Sequence, residues 1–171
     1  GGLIAEGSAS DWGALLLKDS MGIGKELNAA AFASFSLAMI VARFSGDWAL
    51  TKFGPAAVVR IGGFGGAIIW GSAIAIAVPL SDSHPLPAFI TINIGFAAAG
   101  LGIGPMSPAF ILAASRLPGI APGVAIARVG VTGIAGYFIG PTITGFLADI
   151  FSLPVAMFYP VALLGMAGFF S

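Results

Sequence analysis

The chain has 171 residues, 58% of them hydrophobic and 8% charged, and its seven basic and seven acidic side chains cancel. A soluble domain is about 25% charged and leaves much of its surface in water, so lipid must be the solvent for most of these side chains. The balanced charge excludes a nucleic-acid footprint, the lack of cysteine excludes disulfides and thiolate chemistry, and one histidine cannot build an imidazole metal site.

In chain order, the opening Gly1-Gly2-Leu3-Ile4 has no initiator Met and no basic region ahead of an apolar run. It reads as neither a signal peptide nor a natural start, but as a first helix already under way in a piece of a longer protein. Uncharged runs then cover 27–42, 61–81, 85–115, 129–148 and 150–171. About 20 helical residues cross a hydrocarbon core of about 30 Å, so these runs are read as membrane spans. The run at 27–42 spans if Arg43 snorkels at its end. The predicted helices are therefore 1–17 (truncated), 27–44, 57–80, 86–113, 122–147 and 153–170, in a single bundle over 1–171. Continuous Ala-, Gly-, Leu- and Ile-rich runs, without polar alternation, argue against a transmembrane barrel.

Lys and Arg orient the bundle. Arg43, Lys52 and Arg60 follow the second helix, and Arg116 and Arg128 follow the fourth, which puts both connections on the cytoplasmic side. The opposite side offers Lys18 and Lys25 among Asp19, Glu26, Asp82 and Asp149. Gly62/Gly66, Gly100/Gly104 and Gly136/Gly140 are small-xxx-small pairs, read as helix packing rather than substrate contacts. Pro105, Pro108 and Pro141 should kink or break the helices that hold them.

Polar groups inside the spans are costly, so they are the candidate substrate or coupling residues: Glu6, Asp11, Asn93, Arg128 and Tyr137. Three of them have a structural alternative: an interhelical hydrogen bond for Asn93, a snorkelling end for Arg128, packing for Tyr137. The spans 61–80 and 153–170 carry no charge and no Asn, and are expected to face lipid while the first, fourth and fifth helices line something wet. Counting back from Lys18 at about 1.5 Å per residue puts Glu6 about 18 Å deep and Asp11 about 10 Å, some 140° apart around the helix. Glu6 near the midplane is the leading carboxylate, for proton coupling or substrate binding; the alternative is a bond to a neighbouring helix, for instance at Asn93. Catalysis finds no support: His84 sits in the turn-rich Ser81-Asp82-Ser83-His84-Pro85, and no G-x-x-x-x-G-K-[ST] phosphate loop is present.

The segment from Arg43 to Arg60 reads Arg-Phe-Ser-Gly-Asp-Trp-Ala-Leu-Thr-Lys-Phe-Gly-Pro-Ala-Ala-Val-Val-Arg. It resembles the signature cytoplasmic loop of the major facilitator superfamily, G-D-x-x-x-D-R-F-G-R-R with a further Arg beyond. Gly46, Asp47, Lys52, Phe53, Gly54 and Arg60 match in type and spacing, whereas Thr51 replaces the second acid and Pro55-Ala56 the basic pair. An acid near a helix C-terminus needs a cation or a helix N-terminus to answer it, and Arg43 or Lys52 is expected to answer Asp47. Two further stretches are similar to the seventh and tenth helices of a bacterial sugar-permease-like branch. They are Glu6-Gly-Ser-Ala-Ser-Asp11-Trp12 and Gly102-Ile-Gly104-Pro105-Met-Ser-Pro108 with Arg116-Leu-Pro118-Gly119.

The resemblance covers essentially the whole chain. It implies an all-α membrane protein, a six-helix half of a twelve-helix fold, and specifically the C-terminal half of a secondary active transporter for a small solute. Its partners would be the missing N-terminal six-helix half, the lipid bilayer and a small-molecule substrate; no cofactor, metal or nucleic acid is implied. Gly46, Asp47, Lys52, Gly54 and Arg60 would form a cytoplasmic gating loop, in a protein of the bacterial inner membrane. The reading from another class is a non-transporting six-helix scaffold or assembly subunit.

Overall fold

The computed structural model describes residues 1–171, as helices joined by turns and without strands. Eight helices form six rods. α1 (Gly2–Leu15) continues through a π-helical turn (Leu16–Ser20); α2 (Ala30–Phe53) and α3 (Pro55–Leu80) are continuous. α4 (Pro85–Ile103) and α5 (Met106–Ser115) make the fourth rod, α6 (Pro122–Ile150) the fifth, and α7 (Leu153–Ala156) with α8 (Phe158–Phe169) the sixth. Pro55–Leu80, Pro85–Ser115 and Pro122–Ile150 are long and apolar enough to cross a membrane.

Prolines set most of the punctuation, though not all as expected. Pro55, Pro85, Pro122 and Pro154 lie in the first turns of α3, α4, α6 and α7, where a missing N–H costs nothing. Pro105 does break the fourth rod, at a turn that separates α4 from α5. Pro108, by contrast, falls in the first turn of α5, and Pro141 sits inside an α6 that runs through it.

The second predicted helix needs the largest correction. Instead of stopping near 44, α2 runs to Phe53, and of the 43–60 loop only Gly54 lies outside a helix. Charged residues mark where a membrane span is expected to end, but they do not end a helix. Gly54 does, with φ of +80°, a conformation open to glycine, ahead of a proline that fixes the start of α3.

The core is built where α4 lies between α2 and α3, with α8 on the other side of α3 and α1 between α6 and α8. Trp70, Phe35, Phe96, Ile74, Ile92 and Leu164 are fully buried there. The predicted glycine pairs are packing surfaces. A Cβ on Gly62 would stand 2.7 Å from the Gly102 carbonyl of α4, and one on Gly104 would stand 2.8 Å from Ala42 of α2. Gly140 of α6 likewise receives the Ile4 carbonyl of α1. Backbones approach this closely because lipid offers no hydrophobic drive and packing must bind the helices together.

Only 48 of the 171 residues are buried, so the bundle keeps a broad apolar exterior. The exposed residues of α3 between Ile61 and Pro79 are apolar apart from Ser72. α6, the least buried long rod, also exposes Arg128, Thr132 and Thr142.

Candidate functional site

One ion pair joins two rods. Glu6 of α1 accepts a hydrogen bond from Arg43 of α2, Nη2 to Oε1 at 3.3 Å. The Glu6 side chain keeps 15% of its exposure and that of Arg43 keeps 50%. Arg43 stands 13 residues after Ala30 and ten before Phe53, or about 20 and 15 Å along the helix. It therefore occupies the middle of α2 rather than a helix end. This pair also redirects two expectations. Arg43 answers Glu6 rather than Asp47, and Glu6 does not bond Asn93.

Asn93 is occupied elsewhere. Its Oδ1 accepts from the Ser34 hydroxyl of α2 at 3.0 Å, and its Nδ2 donates to the Phe89 carbonyl at 2.8 Å. Both ends of the amide are thereby used, one of them to join α4 to α2.

The seam between α1 and α6 is also polar. The Ser8 and Thr144 hydroxyls are 3.0 Å apart, and Thr144 is fully buried. Pro141 has no N–H to give the Tyr137 carbonyl one turn back, and Gly7 of α1 packs directly against that carbonyl. The Trp12 indole N–H donates to the Pro141 carbonyl at 2.9 Å, over Gly145, where a Cβ would stand 2.6 Å from the ring. Tyr137 is half-buried beside Phe138, with ring centroids 5.9 Å apart. Ser8, Trp12 and Thr144 were not among the candidate residues, because hydroxyls and indoles are cheap enough in a helix to look unremarkable until a partner is known.

The remaining candidates do not converge with Glu6. Asp11 is exposed, beside a recess of about 370 Å³ that it shares with Trp12, Leu15, Pro141 and Thr142. Arg128 is exposed on a groove of about 570 Å³ between the start of α1, Phe110 of α5 and Thr132 of α6. Near the Gly54 turn, Gly46 is buried against Pro105, and Asp47 is exposed. Asp47 shares a recess of about 450 Å³ with Thr51, Gly54 and Arg116. Lys52, the other partner expected for Asp47, lies instead over the Trp48 and Phe53 rings, 4.8 and 5.3 Å from their centroids. Five residues separate Lys52 from Asp47, which puts them about 140° apart around α2. Arg60 donates to the Ser171 carbonyl.

Three curated proteins match nearly the whole chain. It is 33% identical over 161 residues to an uncharacterised MFS-type transporter of Yersinia pestis, covering 94% of this chain and 39% of that protein. It is 31% identical over 156 residues to an uncharacterised transporter of Sinorhizobium fredii, covering 91% and 38%. With the membrane protein MosC of Rhizobium meliloti it shares 26% identity over 160 residues, covering 94% and 37%. The chain thus spans about two-fifths of the length of the relatives it matches. No family model and no solved structure matches it.

Proposed function

We propose that this chain, which is similar to a protein named as an MFS-type transporter, belongs to the major facilitator superfamily and forms the C-terminal six-helix half of a secondary active transporter. The complete protein, in a bacterial plasma membrane, moves a small solute by alternating access between this bundle and an upstream six-helix half. The observation that carries this reading is the Glu6–Arg43 pair, a base from the middle of α2 held by an acid of α1 in a bundle whose exterior is apolar. Charge at that depth is expensive and is retained where it serves a pathway. Two of the relatives are named as transporters, which points away from an enzyme.

In this reading Glu6 and Arg43 form the charged centre, and Asp11, Arg128 and Tyr137 lie along α1 and α6 on the approach to it. Asn93 is a helix-joining residue. The gate lies at the recess that Asp47 and Arg116 share, where Gly54 joins the end of α2 to the start of α3 and Gly46 packs against Pro105. Asp47 there favours the state closed to the cytoplasm.

Thiol accessibility tests this. In a cysteine-free version of the full-length transporter, Asp11→Cys and Thr132→Cys report the outer and inner approaches. Adding Asp47→Asn should speed alkylation at Thr132→Cys and slow it at Asp11→Cys, each about threefold or more, for a gate worth about 1 kcal/mol. If both rates stay unchanged, the two positions do not share an alternating pathway.

A further inference from the structure

Along α2, Leu37, Val41, Phe44 and Trp48 follow one another at steps of four, three and four residues, and Lys52 comes four further on. That spacing is one helix face, and it is exposed throughout, with Phe44 at 88% and Trp48 at 61%. The apolar part, from Leu37 to Trp48, is about 16 Å long at about 1.5 Å per residue. An aromatic cluster then closes it: Trp48 and Phe53 meet edge to face at 5.7 Å, and the Lys52 ammonium rests over both rings. Lys52 has no carboxylate partner, and Asp47 lies well around the helix from it.

The order along the stripe is aliphatic, aromatic, then cationic, which is the order of a lipid monolayer from chain to interface to headgroup. Other cations gather at this end of the bundle: Arg60 near the start of α3 and Arg116 at the end of α5. We propose that this face of α2 is a binding site for an anionic phospholipid, with acyl chains along Leu37 to Phe44, the glycerol region at Trp48, and the headgroup phosphate on Lys52. The charge favours an anionic headgroup over a zwitterionic one, because a zwitterion brings an ammonium towards Lys52 along with its phosphate. The site requires only that the chain be embedded in a bilayer, and does not depend on the solute or on alternating access.

Fluorescence quenching by brominated lipid tests it, using the full-length protein in vesicles of mixed phosphatidylcholine and phosphatidylglycerol. Overall composition stays fixed while bromine is placed on the chains of one lipid or the other. The emission lost on Trp48→Phe isolates the Trp48 signal. Trp70 is fully buried, and Trp12 is held against α6. Per mole of lipid, brominated phosphatidylglycerol should quench Trp48 about fivefold more than brominated phosphatidylcholine, the preference expected of one lysine at an anionic surface. Lys52→Gln should erase that preference while leaving quenching by phosphatidylcholine. Equal quenching by the two lipids in the parent would reduce the stripe to an apolar face, and no quenching by either would mean that protein covers it. If Trp48→Phe is not recovered, Lys52→Gln against the parent on total emission decides the same question, since Lys52 is exposed.

Discussion

Glu6 and Arg43 stabilise the bundle only as a pair. Removing one partner of a buried ion pair leaves an uncompensated charge and costs about 3–5 kcal/mol, while replacing both is often neutral. Arg43 is half-exposed, so water screens part of this interaction and the smaller figure applies. Arg43→Gln should be the worse single change, because it strands a carboxylate with 15% exposure, whereas Glu6→Gln strands a guanidinium that can reach solvent. The double variant Glu6→Gln/Arg43→Gln should melt above Arg43→Gln, with a coupling of about 1–3 kcal/mol in thermal unfolding of the detergent-solubilised full-length protein. Additive single effects would mean that the two side chains do not depend on each other. The place of Glu6 along its helix was legible, because helical rise alone gives it. Its partner was not, because the sequence gives distance along each helix but neither its rotation nor which rod lies opposite. The same gap assigned Arg43 to Asp47, its neighbour in sequence, when the competing acid was on another rod.

At the level of elements, the apolar runs carried most of the information. α3, α4 and α6 each begin at a proline that follows a charge or a turn, and the three glycine pairs serve the packing that their spacing announced. The end of α2 was hidden because a span boundary and a helix boundary are different physical events. The first is set by the cost of charge in lipid and the second by Gly54 and Pro55. Glycine roles can be separated by substitution. A Cβ at Gly104 would come within 2.8 Å of Ala42 Cβ and 3.0 Å of the Met39 carbonyl, while Gly130 has nothing within 4 Å. Gly104→Val should therefore cost about 3 kcal/mol or more, since backbone must move to admit it, and Gly130→Val should cost little. Size-exclusion profiles and melting temperatures of the two variants give the comparison. Equal loss at both positions would mean that α4 does not seat on α2 as described.

For the whole molecule, the serpentine of six rods sorts charge between two ends. The ends of α2 and α5 and the starts of α3 and α6 come together, and they carry Lys52, Arg60, Arg116 and Arg128. The other end carries Lys18, Lys25, Asp19, Glu26, Asp82 and Asp149, a mixture with a net acid excess. α3, with 26 residues, holds the ends about 39 Å apart, beyond a hydrocarbon core of about 30 Å. Cytoplasmic loops retain Lys and Arg, so the Gly54 end is expected inside and the turn at 81–84 outside. Thr51 and Ser83 are both exposed, one at each end, and no native cysteine in this chain competes for label. In intact cells that express a cysteine-free full-length protein, a membrane-impermeant maleimide should modify Ser83→Cys and spare Thr51→Cys. Permeabilising the cells should then make both reactive, which rules out local shielding of Thr51→Cys. Labelling of Thr51→Cys alone in intact cells would invert the bundle. It would also move the Asp47–Arg116 recess to the outer face, where it could not close the cytoplasmic side.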